Sequence, residues 1–458
     1  MIPVIARNIF RFQELLLGRP SFQILNKLNQ SQWWSRDRLE KLRQDRLNEL
    51  IHTAYIRTPY WKKLMDSMQI KPGDIRTLKD LQQFPLLEKN TLREKREQMV
   101  WREEGKRVQL VRTSGSTNEA LEFYTSSSRE AHINAARMRG HEWVGVRRGE
   151  KEMYYWGSPV ELSKQDKIKR FRDFLVNDGL SNGFELNKDR VRQYVSHWMA
   201  WKPKCLFGYP STFVLTISMC RNMGINLDGL KDRGLHVIIT TSEMLSDVDR
   251  DLISQAFGVP VFDSYGLREG GLIGHECEQG TMHCMDEQVI LETIDPETLE
   301  PTDGHGELVV TNIVGKAFPV IRYRTGDIVT LSQKECACGR KLSSIEISGG
   351  RAVEFIVTKT GKWVVGYSFI YIARMVKGIV KFQVIQEELG EIRILLAVDT
   401  KFPEDGKDQV RELARTRLNS DDKILVEIVD DIEPAPSGKY RPVISKVAEQ
   451  LYKERSFS

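Results

Sequence analysis

The stretch Val108-Gln-Leu-Val-Arg-Thr-Ser-Gly-Ser-Thr117 marks the point at which the sequence changes from a helical pattern to an alternating one. Before it, residues 1–107 are rich in Leu, Arg, Gln and Glu, and apolar residues such as Leu47 and Ile51 recur at helical spacing. After it, short apolar runs alternate with Gly-rich loops and helices as far as residue 330. This alternation predicts a layered α/β domain. The predicted strands include 108–111, 153–156, 204–207 and 235–239.

The pattern changes a second time after residue 350. The predicted elements there follow the order βαββαβ, which is typical of a small ferredoxin-like unit. They are a strand (353–357), a helix (367–375), two strands (379–385 and 392–398), a helix (407–418) and a strand (424–429). Because 458 residues suit two unequal domains, we expect a large domain at 1–348, with a helical part at 1–107, and a small domain at 349–458.

The composition indicates a globular cytoplasmic protein. It is 40% hydrophobic and 29% charged, with a net charge of +5, and no apolar run approaches the roughly 20 residues that cross a bilayer. The first 17 residues mix Arg and Glu into apolar positions, so they do not predict a signal peptide. An amphipathic contact of this stretch with a membrane surface is left open. The basic clusters lack aromatic interleaving, which argues against a nucleic-acid partner.

Four loops carry chemistry-bearing residues. Thr113-Ser-Gly-Ser-Thr117 offers hydroxyls and an unhindered Gly backbone to phosphate oxygens, without the layout of a Walker A site. In 263–271, an aromatic residue, a Gly and a carboxylate lie close together, and a carboxylate can hold Mg²⁺. The segment 318–328 places Asp327 where it can bind ribose hydroxyls, and Ser437-Gly-Lys439 places a lysine on a polar loop. Each loop alone is also typical of an ordinary turn.

Together and in this order, these segments resemble the adenylate-forming superfamily. They are most similar to the phenylacetate-CoA ligases and the related CapK-like proteins of polysaccharide gene clusters. The resemblance runs from about residue 50 to about residue 445 and is carried by the segments TSGST, SYGLREGG, RYRTGD, SGGR at 348–351 and PSGK. It implies a large domain that binds ATP and a small mobile domain that swings over it.

The resemblance also implies a role for individual residues. Lys439 would reach the reacting carboxylate and the α-phosphate, and Glu269 would approach Mg²⁺. Asp327 would bind the ribose, and Arg351 would lie in the hinge. The remaining predicted contacts are those of the phosphate loop (Thr113, Ser114, Gly115, Ser116, Thr117), the adenine site (Ser242, Glu243, Tyr265, Gly266) and the acyl pocket (Tyr209).

The sequence departs from the family pattern at three places. Asn118 and Glu119 stand where the phosphate loop usually continues with Gly, which puts the shape of the phosphate site in question. Arg268 replaces the Thr that often precedes the motif glutamate, and Glu354 replaces a hinge Asp. The last two departures suggest membership of the CapK-like branch.

Three cysteines and one histidine, in two short clusters of the sequence, predict a structural zinc site. Cys277, His283, Cys336 and Cys338 supply the ligand set of a tetrahedral zinc ion, and some phenylacetate-CoA ligase relatives have a comparable site. Buried thiols without a metal are the alternative. His275 and Cys284, which are close in sequence to Cys277 and His283, are reserve ligands.

The leading functional hypothesis is an ATP-dependent ligase that forms an acyl-adenylate and then an acyl-CoA thioester, with ATP, Mg²⁺, coenzyme A and zinc as cofactors. Its partners are a small-molecule carboxylate (aryl, alkyl, amino acid or sugar acid) and CoA or an amine or hydroxyl acceptor, with a homodimer left open. The first alternative is an adenylating ligase that forms an amide or ester in surface polysaccharide biosynthesis. The second is a scaffold that binds nucleotide without turnover.

Overall fold

A computed structural model describes most of the chain. The described residues are 1–104, 107–112, 121–156, 167–183, 185–295, 298–349, 355–365, 369, 372, 375–432, 443–448 and 450–451.

The helical beginning of the chain is confirmed. Its helices are α1 (Pro3–Leu16), α2 (Ser21–Ser31), α3 (Arg36–Arg57), α4 (Pro59–Ser67) and α5 (Lys89–Lys95). The later helices, interspersed with strands, are α6 (Ser127–Trp143), α7 (Lys167–Leu175), α8 (Lys188–Trp201), α9 (Pro210–Asn222), α10 (Asp247–Phe257) and α11 (Gly406–Leu418).

A large mixed sheet forms the centre of the molecule. Within the described ranges its eleven strands follow the order β11-β12-β13-β14-β10-β9-β8-β7-β6-β3-β4. From β4 to β8 neighbouring strands are parallel, and from β8 onward they are antiparallel. The strands are β3 (Glu152–Trp156), β4 (Asp178–Asn182), β6 (Cys205–Gly208), β7 (Val237–Thr241), β8 (Val261–Leu267), β9 (Gly271–Glu276), β10 (Met282–Cys284), β11 (Val289–Ile294), β12 (His305–Asn312), β13 (Tyr323–Ser332) and β14 (Ser344–Gly349).

Helices cover the parallel half of this sheet on both faces. Val237 and Ile239 of β7 pack with the helices α1, α2 and α6, whereas Ile238 packs with α8, α9 and α10. This division follows from the strand itself, because successive side chains point to opposite faces. Strands such as β7 are therefore buried on both sides, and their alternation with helices is the pattern that predicted the α/β class. That prediction is confirmed.

The described residues also form two smaller sheets, one of two strands and one of three. Strand β1 (Val108–Arg112) pairs with β2 (Glu122–Ser126), and it is the strand predicted to precede the phosphate loop. The hairpin of β15 (Phe355–Val357) and β16 (Trp363–Val365) pairs with β5 (Glu185–Leu186).

The C-terminal part contains the predicted small sheet. Its strands β17 (Ile379–Gln386), β18 (Glu391–Val398), β19 (Lys423–Ile428) and β20 (Val443–Ser445) follow the order β19-β18-β17-β20 in the described ranges. The predicted strand at 353–357 joins the β15–β16 hairpin instead of this sheet. A buried glutamine makes the connection, because Gln386 accepts from the backbone N–H of Val357 at 2.9 Å and donates to its carbonyl at 2.6 Å.

A buried ion pair fixes the helical layer to the sheet. The guanidinium of Arg139 in α6 donates to both carboxylate oxygens of Glu287, at 2.6 and 3.0 Å, and both side chains are 0% exposed. Ser31 of α2 donates to the same carboxylate at 2.5 Å, and Arg46 of α3 donates to the backbone carbonyl of Glu287. Burial alone raises the pKa of Glu287, but the charge and hydrogen bonds of Arg139 hold it below its usual value.

We predict that Glu287→Ala destabilises the protein by about 3–5 kcal/mol, because it leaves the charge of Arg139 buried without a counter-ion. Thermal or urea unfolding of the full chain measures the loss. Glu412→Ala, which removes a surface partner of Arg415, is the matched control, and Arg139→Met with Glu287→Leu should recover most of the stability. Equal stability of the Glu287→Ala and Glu412→Ala variants would contradict the role of this ion pair.

Candidate functional site

A cleft of about 390 Å³ opens at the carboxyl ends of the parallel strands. The order of the parallel strands reverses between β3 and β6, and open α/β sheets bind ligands outside the strand ends at such a point. The strand ends contribute Trp156 from β3, Phe207 from β6, Thr241 from β7 and Ser264 from β8. Helix α6 forms the facing wall, and Val111 of β1 also lines the cleft.

Two tyrosine–carboxylate hydrogen bonds cross beside this cleft. Tyr265 of β8 donates from its hydroxyl to Asp327 of β13 at 2.7 Å, and Tyr323 of β13 donates to Glu269 at 2.8 Å. Glu269 lies in the turn between β8 and β9, whereas Asp327 lies inside β13 rather than in the loop that the sequence suggested. The predicted Mg²⁺ ligand, Glu269, is therefore oriented by a tyrosine of β13. The predicted ribose ligand, Asp327, is oriented by a tyrosine of β8.

Helix α6 holds the turn that carries Glu269. The buried guanidinium of Arg129 donates to the backbone carbonyls of Arg268 and Glu269, at 2.7 and 2.9 Å. Burial lowers the pKa of Arg129, yet these carbonyl contacts satisfy the group in place of water. Arg129, Ile133 and Arg137 line the cleft, and their i, i+4, i+8 spacing places them on one face of α6.

The predicted adenine segment lies at the end of β7. Ser242 has φ +69°, a left-handed conformation that is uncommon for residues other than glycine and frequent at functional sites. The turn directs the carboxylate of Glu243 to the start of α9, where it accepts from the backbone N–H of Ser211 at 3.1 Å. Burial raises the pKa of Glu243 to about 7, and burial likewise raises that of the neighbouring Asp263 to about 7.

An aromatic wall closes one end of the cleft. The rings of Trp156 and Tyr209 are stacked with centroids 4.4 Å apart, and Trp156 also stacks on Phe207 at 6.0 Å. Trp156 and Phe207 line the cleft itself, whereas Tyr209 supports Trp156 from behind. The prediction that Tyr209 contacts the acyl group stays a prediction.

The four predicted metal ligands lie together. The ligand atoms of Cys277, His283, Cys336 and Cys338 are all within 4.8 Å of one another. The Sγ atoms of Cys277 and Cys336 are 3.8 Å apart, close to the roughly 3.8 Å that two thiolates bound to one tetrahedral zinc ion would show. Burial raises the pKa of Cys277 to about 12, so its thiolate form needs a cation nearby. This donor set fits zinc.

The cluster joins β9 and β10 to the connection between β13 and β14, all in the antiparallel half of the sheet. Cys277 follows β9, His283 lies in β10, and the other two cysteines lie between β13 and β14. The reserve ligands are outside the cluster as the described residues define it: His275 bonds the backbone carbonyl of Glu276 at 2.7 Å, and Cys284 is buried elsewhere.

The other predicted site residues lie outside the described residues. They are Thr113, Ser114, Gly115, Ser116, Thr117, Arg351 and Lys439.

Sequence reasoning missed the residues that orient the predicted ones. Tyr323 lies inside the quoted RYRTGD segment, four positions before Asp327 in the sequence, and this closeness could have indicated a role in the site. Arg129 had no signal of this kind, because an arginine near the start of an amphipathic helix usually lies in solvent. Its partners, Arg268 and Glu269, are 139 and 140 positions further along the chain, so these contacts exist only in the folded structure.

Comparisons with known proteins agree with this geometry. The family model of the CapK C-terminal domain matches residues 356–446. The phenylacetate-coenzyme A ligase of Thermus thermophilus is 26% identical over 323 residues, which cover 67% of this chain and 68% of that protein. Protein CapK of Staphylococcus aureus is 21% identical over 421 residues, which cover 89% of this chain and 90% of that protein.

A solved structure shows the same fold. The crystal structure of 2-hydroxyisobutyryl-CoA ligase in complex with 2-HIB-AMP and CoA superposes with a TM-score of 0.64 at 18% identity, covering 93% of this chain and 94% of that chain. The fold is that of the adenylate-forming superfamily, and the sequence relatives agree with it. Within the superfamily, the chain is similar to the phenylacetate-CoA ligases and to CapK, and it is an enzyme of the AMP-forming acid–CoA ligase class.

The raised pKa of Glu243 predicts a pH-dependent contribution to stability. Between pH 4.5 and about 7 the folded state binds this proton more tightly than the unfolded state does, so stability falls as pH rises through this window. Glu243→Gln keeps a hydrogen-bond acceptor and removes the charge. We expect the variant to be similar to the original at pH 5 and more stable by up to about 3 kcal/mol at pH 8.

Thermal unfolding at both pH values measures this difference. Glu412→Gln, on the exposed surface of α11, is the control and should show no pH-dependent gain. A gain for Glu243→Gln that is the same at both pH values would contradict the assignment.

Proposed function

We propose that the protein activates a carboxylic acid in two steps. A carboxylate oxygen attacks the α-phosphorus of ATP, pyrophosphate leaves, and an acyl-adenylate forms. An acceptor then attacks the acyl carbon and AMP leaves; when the acceptor is CoA, the thiol loses its proton and the product is a thioester. In this proposal, Mg²⁺ neutralises charge on the phosphate oxygens.

The observation that carries the proposal is the pair of crossed tyrosine–carboxylate contacts beside the cleft. Each carboxylate, Asp327 and Glu269, is held by a tyrosine hydroxyl, and both hydrogen bonds join the region of β8 to β13. This arrangement suits a ribose contact and a metal contact on the same nucleotide. Preorganised charged groups of this kind stabilise developing charge without reorganisation. The acid would lie against the aromatic wall of Trp156 and Phe207, with Tyr209 behind it.

The remaining roles extend the proposal to the rest of the chain. Thr113–Thr117 would contact the β- and γ-phosphates, and Ser242 with Glu243 would lie along the adenine. The small domain, 349–458, would move over the cleft and deliver Lys439, with Arg351 in the hinge. A lysine that arrives late can offset the charge of two joining anions without trapping the ground state.

A second acceptor is favoured by a specific observation. The C-terminal part matches the CapK family model, and the likeness to CapK extends over 89% of this chain. An amine or hydroxyl acceptor in surface polysaccharide biosynthesis is therefore the second candidate, and it shares the first step. The third, a scaffold without turnover, rests on Asn118 alone and is opposed by the ordered contacts of Asp327 and Glu269.

Acid-dependent exchange of pyrophosphate into ATP tests the proposal. We expect exchange with at least one member of a panel of aryl, alkyl, amino and sugar acids. Consumption of CoA with the same acid supports the ligase, whereas exchange without consumption of CoA supports the amine or hydroxyl acceptor. No exchange with any acid would leave the scaffold as the better account.

We expect Lys439→Ala to reduce exchange by about 10²-fold or more, as the loss of a group that stabilises transition-state charge usually does. The control is Lys423→Ala, a surface lysine of the same C-terminal part that pairs with Glu391 at 2.8 Å. It should exchange at nearly the original rate. A Lys439→Ala variant as active as the control would remove this residue from the mechanism.

We also propose that the Cys/His cluster binds one structural zinc ion. All four ligands come from the protein, so no position is left for a substrate, and the ion would brace β9 and β10 against the β13–β14 connection. That brace supports both carboxylates, because Glu269 precedes β9 and Asp327 lies in β13. Reduced thiols suit the cytoplasm, where we place the reaction.

Protein purified without chelator should contain about one zinc ion per chain. Cys336→Ser with Cys338→Ser should lose the metal and lower the unfolding temperature, because ligand loss breaks the brace. Metal analysis and thermal unfolding are the measurements. Cys220→Ala, which alters a buried thiol in α9, should keep the zinc; absence of zinc from the original protein would refute the site.

A further inference from the structure

Helix α1 presents an apolar face to solvent. Most of its large apolar side chains are exposed, including Phe12 at 63% and Leu16 at 68%. Ile5, Phe12 and Leu16 follow the spacing i, i+7, i+11 and share one side of the helix. We call this surface the α1 face; its exposed apolar residues are Ile2, Val4, Ile5, Phe12, Leu15 and Leu16.

The α1 face is held rigidly against the protein body. The carbonyl of Met1 accepts a hydrogen bond from Asn177 at 3.0 Å. Gly149 lies so close to α1 that a Cβ at that position would be 2.4 Å from the carbonyl oxygen of Pro3. The opposite side of the helix packs into the core through Phe10. The apolar residues are therefore exposed on an anchored helix, which is a costly arrangement unless something covers them.

A second helix with exposed apolar side chains ends close to the start of α1. Asn177, which bonds the start of α1, lies two residues beyond the end of α7, and α7 exposes Phe171 and Phe174. A hydrogen bond thus links two distant parts of the sequence, each of which exposes large apolar side chains.

The charged side chains of α1 that reach solvent have one sign. The single carboxylate of α1, Glu14, is buried and bonded to Ser21 and Asn134, so no acidic side chain of this helix reaches solvent. Arg11 is exposed at the edge of the apolar stripe, and Arg7 is half-buried beside it. The chain as a whole carries a net charge of +5. An apolar face edged by arginine suits an anionic lipid surface better than a second copy, since two such edges would repel each other.

We propose that the α1 face docks the enzyme on an anionic lipid bilayer, with α1 lying in the interface. Phe12, Leu16 and their neighbours enter the boundary between headgroups and acyl chains, and Arg11 contacts lipid phosphate. This is peripheral attachment, because no helix within the described ranges is long and apolar enough to cross a membrane. The docking is independent of which acid the cleft accepts.

Flotation of the full chain with phospholipid vesicles tests the proposal. We expect binding to vesicles of phosphatidylcholine mixed with phosphatidylglycerol, and weaker binding at high salt or to phosphatidylcholine alone. Phe12→Ser with Leu16→Ser should weaken binding at least about tenfold. Arg11→Glu should weaken it at least about fivefold, and only in the anionic vesicles.

The matched control is Ile56→Ser, which changes a side chain that is 53% exposed on α3 and distant from the α1 face. It should bind vesicles as the original does. Thermal unfolding verifies that all variants fold, which is expected because each altered side chain is exposed. Absence of flotation with either lipid overturns the proposal, and so does a dimer that the Phe12→Ser/Leu16→Ser variant abolishes while vesicle binding is unchanged.

Discussion

The buried ion pair between Arg139 and Glu287 is the constraint on which the arrangement of the site depends. It fixes the C-terminal half of α6 to the segment between β10 and β11, and Ser31 and Arg46 bring α2 and α3 to the same carboxylate. The other half of α6 then forms the wall of the cleft, where Arg129 holds the turn that carries the predicted Mg²⁺ ligand. Helix α6 is thus fixed to the helical layer at one end and holds the turn beside the cleft at the other.

The antiparallel half of the sheet is tied together twice. On the side of the cleft, the crossed contacts of Tyr265 and Tyr323 join β8 to β13. Beyond β9, the Cys/His cluster joins the same region to the β13–β14 connection. The hydrogen bonds to two carboxylates and the Cys/His cluster lie on the same strands, so the proposed ribose and metal ligands are held from both sides.

Much of the fold could be predicted from the sequence, because its signals are local. The helical start, the apolar strands of the parallel half and the elements of the small sheet follow from periodicity of 3.6 or 2 residues. The pairing of the strand at 355–357 could not be predicted in this way. The strand pairs with β16, whose other neighbour is the distant strand β5, and the buried amide of Gln386 bonds the backbone of Val357. A short apolar run carries no record of such partners.

For the site, the sequence by itself determined which residue types were present and in what order. The TSGST, YGLRE and RYRTGD segments and the C-terminal lysine were recognisable through the family resemblance that they carry, and the four Cys and His ligands through their residue types and spacing. Only the tertiary structure decided which of these residues meet: Tyr265 with Asp327, Tyr323 with Glu269, and thiols about 60 residues apart in one cluster. The reason is physical, since hydrogen bonds and metal ligation act over a few ångströms, and distance along the chain says little about distance in space.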